Sequence, residues 1–174
     1  MNKNVKIAKE LMKIAELLIN KTNEDEMFEK LYDKNLDVNH RQEIINYFMK
    51  TREGLETLCF DDFDVLYDNE REIVLKAAAN NKDFDDYSFV TMLKTKKYKN
   101  NNEKNIMLNA IINDEYYMDL ICDIIDMDIL SFYEEIDLIK IMMNKTENHD
   151  ELAHKLANIK DNEKIIKMLM LMNH

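Results

Sequence analysis

The chain has 174 residues, a formal net charge of -11, 46% hydrophobic and 34% charged residues, one Gly and no Pro. That balance fits a globular protein with its own core and excludes a disordered chain. So little Gly and Pro argues against an all-β architecture and against Gly-rich phosphate loops, and the acidity argues against a generic nucleic-acid surface, which needs cationic patches.

What fits is helices joined by Asn- and Asp-rich turns, because these two residues tolerate the left-handed backbone best after Gly. The first helix is expected over 4–20, where Val5, Ala8, Met12, Ala15 and Ile19 recur at helical spacing and Leu11 and Leu18 widen the stripe. Asn23 with Glu26 forms a capping pair for a short helix through Tyr32, and Asn39 with Gln42 forms another for a helix to about Lys50. A segment holding Leu55, Leu58 and Cys59 follows. Then come a helix over 65–80, one capped by Asp83 and Asp86 through Met92, and one over 102–114. EYYMDLICDIID, ILSFYEEIDLIKIMMNK, NHDELAHKLANI and NEKIIKMLMLMNH complete the series. Lys and Glu scattered through the first twenty residues leave no run for a signal peptide, and no stretch of about 18 charge-free apolar residues is present to span a membrane. Two cysteines outside any Cys-x-x-Cys or Cys/His cluster predict buried, reduced thiols in a cytoplasmic protein.

The pattern recurs along the chain. LCFDDFDVLYDNEREIVLKAAANNK (58–82) and ICDIIDMDILSFYEEIDLIKIMMNK (121–145) agree without a gap at Cys59/Cys122, Glu72/Glu135, Ile73/Ile136, Leu75/Leu138, Asn81/Asn144 and Lys82/Lys145. NKTNEDEMFEKL (20–31) matches NKTENHDELAHKL (144–156) with one insertion, and NEKNIMLNAIIND (102–114) shares Asn-Glu-Lys with NEKIIKMLMLMNH (162–174). The expectation is a single all-α domain, 1–174, built as a compact stack of about three degenerate units of about 60–64 residues: 4–63, 64–126 and a truncated 127–174. An open solenoid and a closed bundle both satisfy it.

Chemistry-bearing motifs are sparse. Asp61, Asp62, Asp64 and Asp68, and later Asp123, Asp126 and Asp128, lack the Gly of a calcium loop and sit where helix N-termini favour anions. His149 and His154 are five apart, not the four of a zinc helix. Cys59 and Cys122 occupy matching places, as packing residues would. No metal, no cofactor and no enzymatic activity is expected. The basic stretch KTKKYKNNNEK (94–104) pairs Lys with Tyr98, as a single-strand binder would, but in so acidic a chain it reads as a solvated loop.

The sharpest feature is a gap in positive charge. No Lys or Arg lies between Asn105 and Ile139, while nine acids do. With the apolar side turned inward, Asp114, Glu115, Asp119, Asp123, Asp126, Asp128, Glu134 and Glu135 are expected on one acidic face, which a basic protein would neutralise. The expected function is therefore a non-enzymatic acidic binding protein that engages and inhibits a basic, nucleic-acid-handling protein, in the manner of phage anti-defence, immunity or antitoxin proteins. Direct contact with nucleic acid or membrane is not expected. The alternative is a self-associating assembly protein joined through the apolar C-terminal helix.

Overall fold

The computed structural model describes residues 24–61 and 63–172, and among these every regular element is helical. The helix expected over 4–20 and the cap Asn23 lie outside the described residues. The described part of α1 covers 24–29 and tightens into a 3-10 turn, Lys30–Tyr32. Then follow α2 (Val38–Phe48), α3 (Arg52–Glu56, continued by a wide π turn, Thr57–Asp61), α4 (Asp68–Ala79), α5 (Tyr87–Lys94) and α6 (Asn101–Asn113). The chain closes with α7 (Tyr117–Asp126), α8 (Phe132–Lys145), α9 (His149–Ala157) and α10 (Asn162–Met172). No described helix is long and apolar enough to cross a membrane.

Short polar side chains start most of these helices by accepting from backbone N–H groups that have no partner inside the helix. Thr51 accepts from Gly54, Asn100 from Glu103, and Asn148 from Glu151. Two predicted caps are displaced. α2 is capped by Asp37, whose extended backbone lets its carboxylate reach the N–H groups of Asn39 and His40, so Asn39 is already inside the helix. Ahead of α5 it is Asp85, not Asp83, that accepts from the Tyr87 N–H. The ends of α5 and α7 are Schellman turns. The Lys97 N–H bonds to Met92 and the Ile129 N–H to Ile124, with Lys96 (φ 53°) and Asp128 (φ 52°) in the left-handed conformation that Gly would usually take.

Each helix gives an apolar stripe to one continuous core: Ile44, Ile45 and Phe48 from α2, Val74 and Leu75 from α4, Met107 and Ile111 from α6. Leu120, Ile121, Ile124 and Ile125 from α7 and Ile136, Leu138 and Ile139 from α8 extend it. Fully burying one such side chain contributes about 1.5–3 kcal/mol. Close packing runs between neighbours in the chain and between alternate helices: α4 on α6, α5 on α7, α7 on α9, α8 on α10.

Buried and half-buried charges join the starts of the even-numbered helices. Arg41, fourth residue of α2, places Nε 2.7 Å from Glu70, third residue of α4. Its two terminal nitrogens donate to the carbonyls of Leu31 and Val65, each at 2.6 Å. Arg71, fourth residue of α4, is held by both oxygens of Glu103, third residue of α6, at 2.9 and 3.0 Å, and donates to the carbonyls of Phe63 and Lys97. Lys104, fourth residue of α6, pairs with Glu134, third residue of α8. Partners in these three rungs are 29, 32 and 30 residues apart. A fourth rung reverses polarity: Glu135, fourth residue of α8, faces Lys164, third residue of α10, at 2.7 Å.

Arginine is required at the first two rungs because only a planar fork of donors can satisfy a carboxylate and two carbonyls at once. Aromatic rings cover the guanidinium groups: Tyr67 lies 4.1 Å from Arg41 and Phe63 3.8 Å from Arg71. The glutamates also serve locally, since Glu70 accepts from the Tyr67 N–H and Glu103 from the Lys99 N–H. Each therefore fixes the start of its own helix as well as its contact with the one before.

Candidate interaction surface

The acids singled out in the sequence fall in three places. Asp128, Glu134 and Glu135 gather where α7 gives way to α8. Lys104 and then Ser131 hold the Glu134 carboxyl down at about 2. Lys164 bridges Asp128 and Glu135. Glu135 is fully buried and belongs to no surface: its backbone position turns it toward α10, where Lys164 meets it. Neither of its oxygens has a well-directed hydrogen bond, and burial pushes its carboxyl up against the opposing pull of Lys164.

The second place is the outer face of α7. Asp119, Asp123 and Asp126 lie within two turns of one another and, with Cys122, Lys155 and Asn158, line a shallow depression of about 200 Å³. This face is partly neutralised from a distance in sequence. Lys155 of α9 binds Asp119, and Lys160 gives Asp126 both its ammonium (2.8 Å) and its backbone N–H (2.9 Å), holding that carboxyl below its ordinary range. Asp123 is pushed up, by burial first and then by Asp119 and Asp126. Burial, aided by Asp119, pushes the Cys122 thiol up to about 11, and burial pushes Cys59 to about 12. Thiols so perturbed stay protonated and are weak nucleophiles near neutral pH.

The third place holds Asp114 and Glu115, just before α7. The fold brings Asp85 and Asp86, just before α5, beside them. Burial, then a hydrogen bond with Asp114, raises the Asp86 carboxyl to about 6, with Asp85 adding to the effect. Like charges held this close make ionisation of Asp86 costlier, which is the direction of its shift. Among the described residues no Lys or Arg forms an ion pair with Asp85, Asp86, Asp114 or Glu115. Tyr87 and Tyr116, 44% and 64% exposed, stand next to them, and Glu115 raises the Tyr116 phenol.

From the sequence Asp86 was read only as a cap with Asp83, and Asp85 was not singled out. Their signal is there nonetheless: Asp-Asp-Tyr (85–87) and Asp-Glu-Tyr (114–116) are the same acid-acid-aromatic run ahead of alternate helices. The basic stretch 94–104 is not the solvated loop expected. Lys97 donates to the Phe60 carbonyl, Lys99 pairs with Asp68 at 3.2 Å, and Tyr98 is half-buried, so these cations are used inside the fold. His149 and His154 are exposed, and among the described residues no three His, Cys, Asp or Glu side chains converge as metal ligands would. Compared with family profiles, curated proteins and solved structures, the chain matches none.

Proposed function

We propose that this chain is a stacked helical scaffold that presents the carboxylates of its α5–α7 edge to a basic protein. The observation that carries the reading is the Asp85, Asp86, Asp114 and Glu115 cluster, in which burial and the neighbouring carboxyls raise Asp86 and no Lys or Arg forms an ion pair among the described residues. A guanidinium or ammonium from another protein placed there would release the strain of like charge, and exposed Tyr87 and Tyr116 give it rings to pack on. The half-neutralised row Asp119, Asp123 and Asp126 continues the acidic strip along α7. A protein whose groove normally holds phosphates is the partner class of best fit, and occupying that groove would inhibit it. The role is binding and not catalysis.

The same reading includes the architecture. The rungs at 29, 32 and 30 residues support a repeating unit of two helices and about 30 residues, half of the 60–64 expected from sequence matches. In that scheme the matches at an offset of 63 residues compare every second unit.

The test is a capture experiment. Tagged wild type and the triple variant Asp86→Asn, Asp114→Asn, Glu115→Gln are each exposed to lysate of the native cell and washed at low and at high salt. Wild type should retain one basic protein at low salt and lose it at high salt, and the variant should retain none. With the purified partner, calorimetry in two buffers near pH 6 should show a proton released on binding, since an incoming cation lowers the pKa of Asp86. Equal capture by wild type and variant would sink the proposal.

A further inference from the structure

The α9–α10 end of the molecule differs in character from the rest. Leu152, Leu156, Ile165 and Leu169 wall an apolar groove of about 660 Å³ between the two helices. Ile166, 58% exposed, forms the outer lip of that groove, and Met170 (65%) and Leu171 (48%) continue it as an outward apolar ridge on α10. A groove and a ridge of the same chemistry on one end are self-complementary: a two-fold axis places each ridge in the other groove. α8 packs on the inner side of α10, so an α10 from another copy would extend the same layer of helices.

Charge selects the same occupant. The chain carries -11 overall, and like-charged copies repel over most of their surface. Residues 140–172 are close to neutral, with six Lys against five Asp and Glu, whereas 105–139 has nine acids and no cation. Two copies can approach through the α9–α10 end without that repulsion. A basic partner of the kind drawn to the acidic edge gains nothing from a nearly neutral apolar groove.

We propose that a second copy of this chain covers the α9–α10 end, the Ile166, Met170 and Leu171 ridge of each lying in the groove of the other. The contact is independent of the acidic-edge reading. Sedimentation velocity on the full chain, from micromolar to near-millimolar concentration, tests it. The 20.9 kDa species should give way to one of twice that mass as concentration rises, and added salt should not weaken the association. Ile166→Glu with Met170→Glu should return the single-chain mass at every concentration, with helical circular dichroism and melting kept, because both side chains are exposed in the single chain. A single-chain mass throughout for wild type overturns the proposal. So does a dimer that survives both substitutions, or one that salt dissolves. Asp86→Asn leaves this association unchanged, so failure here and failure of the acidic-edge reading are told apart.

Discussion

Arg71 is the residue on which most depends locally. It is 1% exposed, and its guanidinium joins the buried Glu103 carboxylate to the backbone carbonyls of Phe63 and Lys97, with Asp64 at its outer edge. Arg71→Ala leaves Glu103 charged and buried, which costs about 3–5 kcal/mol. Arg71→Lys is also expected to destabilise, because a single ammonium cannot span the three acceptors. Urea unfolding monitored by circular dichroism gives both values; a loss within about 0.5 kcal/mol for alanine, the range of an ordinary surface change, would mean that the rung contributes nothing. Asp86 works in the opposite sense. Its folded pKa of about 6 lies above the ordinary carboxyl value of about 3.9, so its contribution to stability is full below about pH 4 and is lost as pH rises through 6. Asp86→Asn removes that loss. The variant should be more stable than wild type at pH 8, by about 1 kcal/mol after allowance for solvent screening, and no more stable at pH 4. Melting curves at the two pH values decide, and an identical difference at both would show that the raised Asp86 carboxyl is not what sets it. Glu134 runs the other way: with its carboxyl at about 2, its contribution is present above about pH 4.5 and lost only as pH falls through 2.

At the scale of the helix, Gly54 explains why a chain with one glycine keeps it there. α3 crosses the end of α2 so closely that a Cβ on residue 54 would lie 2.1 Å from the carbonyl oxygen of Phe48. That oxygen is backbone, so it cannot swing aside, and α3 would have to lift away from α2. Gly54→Ala is therefore expected to cost roughly 2–4 kcal/mol, although alanine is the better helix former. A thermal melt unchanged from wild type would show that the crossing is looser than described. Helix type and position were legible because periodicity and capping are local: 65–80 and 102–114 became Asp68–Ala79 and Asn101–Asn113. Cap identity was less so, as Asp37 and Asp85 show, because several Asn and Asp stand near each start. The acidic face was half legible. Its carboxylates could be counted, but the lysines that neutralise Asp119, Asp126 and Glu135 arrive from α9, the turn after it and α10. Arg41 and Arg71 were passed over, though a chain that uses lysine nearly everywhere has only three arginines, and two of them are buried.

If the helices form the proposed stack, the whole molecule should not open all at once, because the main contacts among the described helices join near neighbours. In such an array stability is the sum of each unit and its contacts with the next. The middle carries the fully satisfied rungs, Arg41 with Glu70 and Arg71 with Glu103, and α4 to α7 hold most of the deeply buried side chains. The α10 end rests on Ile165, Met168 and the rung in which Glu135 has a charge partner but no well-directed hydrogen bond. Hydrogen exchange should therefore be slowest in α4 and α6 and fastest, among these helices, in α10. Lys164→Met sharpens the test, because it strands Glu135 in an apolar site and should cost about 3–5 kcal/mol locally. Exchange in α10 should accelerate more than tenfold, since each 1.4 kcal/mol is a factor of about ten, while α4 and α6 keep their wild-type rates. An equal acceleration in all three helices would mean that the chain unfolds as one cooperative block, and the near-neighbour stack would then be the wrong description of how this protein is held together.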